Sequence, residues 1–363
     1  MKIRDLGPVI RAHEKAGNAI FLKSAPGIGK SAFVAQLCEE DKIECVDIRL
    51  SLLNPVDLRG IPIVKGDKVE WVPPIFLVKK GPCRFFLDEI VKAPPATQSA
   101  AYQWVLDKRI GEWRMDTTIE NGRPRQTIIA AGNRLIDRVH IHQMDPALNN
   151  RFAHIEIEPD LEDWKEWAWK HGVHRSIINF LSFTSRVPVG LNDKSSCGLL
   201  FFFDPDKHKE GPWPSPRSWE QVSRFIDANP KMRFHGEALG GMISQVVAEK
   251  FVAFVKIEDN LPNADEIIRG KTDIKPPTEV SAQYAFCGAL TGALIRAKAD
   301  ERLNVTKNAV TYCVKHWASD AEFATLVMKD YARTPEWKEV CRQIVNTKEW
   351  RDFTKEFGTL LLD

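Results

Sequence analysis

The residues best suited to chemistry open with Ser24-Ala25-Pro26-Gly27-Ile28-Gly29-Lys30-Ser31. A phosphate chain needs backbone N–H groups converging at a helix N-terminus, where the helix dipole also favours negative charge. Gly27 and Gly29 permit left-handed turns and remove Cβ atoms from the path of a phosphate. Lys30 is placed to reach β- and γ-phosphates and the Ser31 hydroxyl to ligate Mg²⁺, with Ala32 the next residue of the phosphate-facing turn. The strict G-x-x-x-x-G-K-[ST] pattern begins with Gly, and here Ser24 holds that place. The second group is Cys83-Arg84-Phe85-Phe86-Leu87-Asp88-Glu89, an apolar strand running into two acids. At the carboxyl edge of a parallel sheet Asp88 can hold Mg²⁺ and Glu89 can polarise an attacking water.

Two more segments complete the set. Thr127 to Asn133 (TIIAAGN) ends an apolar strand in an amide that would lie near a γ-phosphate. Ala147 to Phe152 (ALNNRF) presents Arg151 just before another strand, and Arg134 is its rival as the phosphate-directed cation. In a ring of subunits such an arginine would stabilise transition-state charge in the neighbour's site.

These groups need an alternating α/β framework, and the pattern supplies one. Strands are expected at Ala19–Lys23, Glu44–Leu50, Arg84–Leu87, Thr127–Ala131 and His154–Ile157, with helices at Ser31–Glu40 and Ala96–Asp107. The strands are apolar without clean alternation, as in a parallel sheet covered on both faces. Asp204 to Pro216 (DPDKHKEGPWPSP) reads as a linker. Beyond it the pattern is helical at Ser218–Asn229, Gly236–Phe254, Ser281–Ala299, Thr306–Ala318, Ala321–Ala332 and Glu336–Phe357. The expected division is an α/β domain over 1–205, a helical lid over 206–300 and a helical extension over 301–363.

At about 150 residues per domain, 363 residues suggest two domains or slightly more. A net charge of +2 argues against a protein that coats nucleic acid or anionic membrane, though it leaves room for a local basic patch. Seven scattered cysteines without C-x-x-C spacing read as reduced thiols, and no apolar run reaches membrane-spanning length. A soluble, cytoplasmic protein is expected. Cys38 and Cys45 show no nearby group that would activate a thiol. His140 and His142 near Asp137 and Asp145 read as solvated loop residues, not metal ligands. Trp164, Trp167, Trp169, Trp213 and Trp219 are expected to pack the lid against the α/β core.

The constellation resembles the AAA+ ATPases, specifically the MoxR-like, helix-2-insert branch. The resemblance makes Ser24–Ser31 the Walker A loop, Phe85–Glu89 Walker B, Asn133 sensor 1 and Arg151 the arginine finger. Val56-Asp57-Leu58-Arg59-Gly60 with the turn at Gly66–Trp71 is similar to that branch's pore-facing insertion. Pro214-Ser215-Pro216-Arg217-Ser218-Trp219 is similar to its sensor 2, with Arg217 directed at the γ-phosphate. Arg109 to Gln126, with Asn121-Gly122 at a tip, reads as a hairpin before sensor 1. The fold implied is a five-stranded parallel P-loop NTPase domain followed by an all-α region. The activity implied is Mg²⁺-dependent ATP hydrolysis by a ring, a hexamer being usual for the branch, coupled to remodelling a protein client with a von Willebrand factor A domain partner. No Asn-Lys-x-Asp guanine-reading motif occurs, which favours ATP. The alternatives are a nucleic-acid motor or restriction-type subunit gripping with Lys65, Lys68, Arg123 and Arg125, a metal-chelatase motor, and a scaffold that hydrolyses poorly.

Overall fold

The computed structural model describes residues 1–137, 142, 144–186, 203, 210–258 and 260–361. His140 and residues 204–209 of the expected linker lie outside the described residues. Contacts divide the chain into two units, one built on Met1–Asp160 with Phe203, the other on the described residues from Leu161 onward.

The first unit is organised by the strands β1 (Ala19–Ser24), β2 (Glu44–Arg49), β5 (Cys83–Asp88), β10 (Gln126–Asn133) and β11 (Phe152–Glu156), with β3, β4 and β6 to β9 forming the hairpins below. They make one parallel five-stranded sheet in the order β11-β1-β10-β5-β2. Every expected strand is present, displaced by at most two residues at an end. The sheet is central because its three inner strands, β1, β5 and β10, are buried on both faces, as their nearly unbroken apolar runs require. One face carries Phe85, Leu87, Ile128 and Ala130 against Trp104 of α4 (Pro95–Asp107). The other carries Phe86, Ile20, Leu22 and Ile129 against α1 (Leu6–Lys15) and α2 (Lys30–Asp41).

Two insertions stand on this core. After α3 (Pro55–Arg59), β3 (Ile61–Lys65) and β4 (Lys68–Val72) form an antiparallel hairpin turning at Gly66-Asp67. Gly60 sits at its root with φ 87°, ψ −163°, and a Cβ there would lie 2.0 Å from the Val72 carbonyl oxygen, so only glycine fits. The expected second hairpin consists of β6 (Arg109–Ile110) with β7 (Trp113–Arg114), followed by β8 (Ile119–Glu120) with β9 (Arg123–Pro124). Asn121 and Gly122 both have positive φ, as a two-residue I′ turn demands.

The second unit is helical among its described residues. Its helices are α5 aside (Pro146–Asn149, which precedes β11 in the first unit) α6 (Leu161–Lys170), α7 (Arg175–Arg186), α8 (Pro216–Ala228), α9 (Gly236–Ile243), α10 (Gln245–Glu258), α11 (Ala264–Ile268), α12 (Val280–Arg296), α13 (Arg302–Trp317), α14 (Ala321–Ala332), α15 (Pro335–Ile344) and α16 (Lys348–Leu361). The single helix expected over Gly236–Phe254 is two, because Ser244 takes φ 72° and ends the first. That expected over Glu336–Phe357 likewise breaks after Ile344. Trp164 and Trp219 lie in this unit's own core with Phe180, Phe251 and Phe254, which is where their burial is accounted for. Gly288 lets α12 close onto α7, since a Cβ there would fall 1.7 Å from Asn179 Oδ1.

Candidate nucleotide site

The parallel order delivers the carboxyl ends of β1, β5 and β10 to one edge of the sheet. Ser24 and Asn133 are register partners, and the loop after β1 turns into α2 within six residues. Gly27 (φ 80°) and Gly29 (φ 98°) make that reversal, with Gly29 at the helix N-cap. Ala25 and Ile28 anchor the loop in the core beneath it, and Pro26 is half-buried between them. A Cβ on Gly29 would meet nothing within 4 Å, so backbone conformation and not crowding sets the requirement for glycine.

Lys30 Nζ donates to Ser24 Oγ at 2.8 Å, to the Ser24 and Ala25 carbonyls at 3.4 Å each, and to Asn133 Oδ1 at 3.3 Å. The hydroxyl at position 24 thus gives the ammonium group an acceptor that a glycine would lack. Ser31 Oγ donates to Asp88 Oδ2 at 2.7 Å, joining the two expected Mg²⁺ ligands across the loop and β5. Ala32 is exposed in the first turn of α2.

Glu89 follows β5 in the left-handed region, φ 54°, which swings its carboxylate away from the strand line. Its backbone N–H donates to Asp88 Oδ1 at 2.8 Å. Its side chain accepts from Lys92 Nζ at 2.5 Å and Ser51 Oγ at 3.0 Å. Burial pushes the carboxyl pKa up, but the hydrogen bonds from Lys92 and Ser51 outweigh it and hold it below the usual glutamate value. Ser51 and Lys92 were not anticipated from sequence. The signal for Ser51 was its place just past the carboxyl end of β2, and for Lys92 its spacing three residues after Glu89.

The cations differ in their surroundings. Arg134 is tied to Asp137 at 2.8 Å and Glu156 at 3.2 Å within the chain. Arg151 is exposed between α5 and β11, and among the described residues its side chain has no ion pair. Arg217 is exposed at the second position of α8, which Ser215 caps reciprocally with Ser218 and which Pro216 opens. It belongs to the second unit.

The segment from β1 to the start of β11 has a counterpart among known families. Residues 19–152 match the AAA domain of the dynein-related subfamily. Together with the sheet order this makes the fold that of an AAA+ P-loop NTPase, and the chain is an ATPase. No curated protein matches the chain. Among solved structures, the Thermotoga maritima RuvB Holliday junction branch migration motor is 15% identical with a TM-score of 0.36, covering 86% of this chain and 86% of that one. NtrX from Brucella abortus in complex with ATP is 12% identical with a TM-score of 0.38, covering 93% of this chain and 68% of its own. Both TM-scores are too low to bear on function. No helix among the described residues is long and apolar enough to cross a membrane.

Proposed function

We propose that the chain is an Mg²⁺-dependent ATPase that works as a MoxR-like ring, a hexamer, and remodels a protein client. The nucleotide part rests on one constellation: Lys30 beside Ser24 and Asn133, and Ser31 within hydrogen-bond distance of Asp88. The left-handed glycines and the hydroxyl–carboxylate pair suit a phosphate chain and a hard oxygen-seeking cation. Mg²⁺, when bound, neutralises developing charge on the phosphates. Lys30 and the loop amides hold the β- and γ-phosphates, and Ser31 with Asp88 holds the ion. Glu89, kept ionised by Lys92 and Ser51, orients the attacking water, and Asn133 reports on the γ-phosphate. Arg151 completes the neighbour's site, a role its exposure suits better than the internally paired Arg134. Arg217 serves as sensor 2.

The client class rests on the two hairpins. A nucleic-acid motor needs several unpaired cations there, yet of the four candidates Lys65 pairs with Glu70, Arg123 with Asp41, and Arg125 with Asp116 and Glu120, which leaves the exposed Lys68. The β3–β4 hairpin instead exposes Ile61, Val64, Val69 and Val72. Apolar residues along the arm suit polypeptide better than phosphate backbone. A von Willebrand factor A domain protein is the partner expected for this branch.

Glu89→Gln is the decisive variant. Phosphate release should fall about 10²–10⁴-fold while ATP binding, read by a fluorescent nucleotide, persists. Full turnover in this variant overturns the catalytic assignment. Native mass spectrometry of the variant in ATP should show six copies, with the client retained. Stimulation by DNA or RNA that fades with salt would replace the protein-remodelling reading with the nucleic-acid one.

A further inference from the structure

The end of α2 farthest from the nucleotide site brings two cysteines to one guanidinium, that of Arg84. Helix α2 ends in a Schellman turn: Lys42 is left-handed at φ 55° and the Ile43 N–H donates to the Cys38 carbonyl at 3.0 Å. The chain therefore doubles back into β2, and Cys45 returns beside Cys38 after only six intervening residues. Cys45 packs against the apolar cluster that contains Cys38. Cys45 is the register partner of Arg84 on β5, so both side chains leave the same face of the sheet. Arg84 Nη1 lies 3.9 Å from Cys38 Sγ. Cys83, next to Arg84, points to the opposite face and packs with Phe85 and Trp104.

The contact with Cys45 lowers the Cys38 thiol pKa, burial opposes it, and Arg84 lowers it further, to about 7. The same contact and burial push Cys45 up. Arg84 favours a thiolate at Cys38, and the Glu14 carboxylate bonded to the same guanidinium opposes it. Cys38 is 1% exposed, whereas Cys45 is only partly buried on the edge strand of the sheet. The reachable sulfur and the charged sulfur are therefore different atoms in one couple. The expectation that nothing activates these cysteines is corrected by Arg84.

We infer that Cys38 and Cys45 form a modification site that hydroperoxides oxidise to an intramolecular disulfide. Cys45 attacks the terminal oxygen of the hydroperoxide as its proton passes to Cys38. The O–O bond breaks, Cys45 becomes a sulfenic acid, and the alkoxide or hydroxide leaves. The alkoxide or hydroxide takes the proton that Cys38 received, and the Cys38 thiolate then attacks the Cys45 sulfur. The S–S bond forms and the sulfenic oxygen departs as hydroxide, which a solvent proton converts to water. The two sulfurs lose two electrons together and one hydroperoxide gains them.

Hydrogen peroxide applied to the purified full-length protein tests this. Remaining thiols are alkylated under denaturing conditions and the chain is digested with trypsin without reduction. The peptides Ser31–Lys42 and Ile43–Arg49 should appear linked, two hydrogens lighter than their sum, and separate with dithiothreitol. Cys38→Ser should abolish the link and leave Cys45 to be captured by dimedone, while Cys83→Ser should leave the link intact. Recovery of Cys38 and Cys45 as alkylated free thiols while other cysteines oxidise overturns the inference. So does linkage of Cys45 to any cysteine other than Cys38, or an unchanged dimedone signal in Cys38→Ser.

Discussion

The two ends of β5 solve opposite problems. At its amino end Arg84 is wholly buried, yet its guanidinium meets Glu14 at 2.6 and 2.8 Å, the Asp41 carboxylate and the Leu37 carbonyl. Thr127 adds a hydrogen bond to Glu14, and Arg11 and Arg123 add two to Asp41. At its carboxyl end Asp88 receives a hydroxyl and one backbone N–H, and Glu89 stands about a third exposed in a left-handed conformation. Lys30 there hydrogen-bonds neutral oxygens of Ser24, Ala25 and Asn133. Charge that is saturated by protein partners fixes helices to a sheet. Charge met by hydroxyl, amide and carbonyl oxygens or by a backbone N–H, as at Lys30 and Asp88, can be taken up by a ligand, at some cost to the unliganded fold.

Variants at the two ends should therefore separate activity from stability. Lys30→Ala should bring the largest change, loss of measurable ATP turnover by phosphate release, with the thermal midpoint close to that of the parent. A large drop in the midpoint would place Lys30 with the structural charges instead. Arg84→Ala strands Glu14 in the interior and should cost about 3–5 kcal/mol in urea unfolding, with site residues untouched. A cost under about 1 kcal/mol would mean the network is ornamental. Thr127→Val removes one of three donors to Glu14 and should cost about 0.5–1.5 kcal/mol by the same measurement.

The smallest effect concerns pH. The folded pKa of Glu89 lies below its ordinary value, so any stability it contributes is present above the ordinary glutamate pKa and lost as pH falls through the folded one. Lys92→Ala removes a group that lowers this pKa. The acid limb of kcat should then move to higher pH, by a fraction of a unit, while the alkaline limb stays. An unmoved acid limb would detach Glu89 from the pH profile.

The same contrast explains what the sequence made legible. Asp88, Glu89, Lys30 and Asn133 sit at ends of apolar runs, where polar residues stand out, and the strand order follows from the alternating pattern. Arg84 was equally visible as one charge inside an apolar strand. Its partners were not, because Glu14 and Asp41 lie on separate helices and only the tertiary fold assembles them. The break at Ser244 was signalled weakly by Gly240-Gly241 and was masked by the apolar residues around it. Cys38 and Cys45 looked ordinary because their activating cation comes from a different strand.

The β3–β4 hairpin has its side chains in solvent along nearly its whole length, while its root is closed by Gly60 against the Val72 carbonyl. Selection can therefore rewrite the arm's strands almost without a folding penalty, yet it cannot substitute the residue at the base. Relatives serving different clients should vary along the arm and keep the glycine, so that a new specificity arrives by exchanging the tool and leaving its socket.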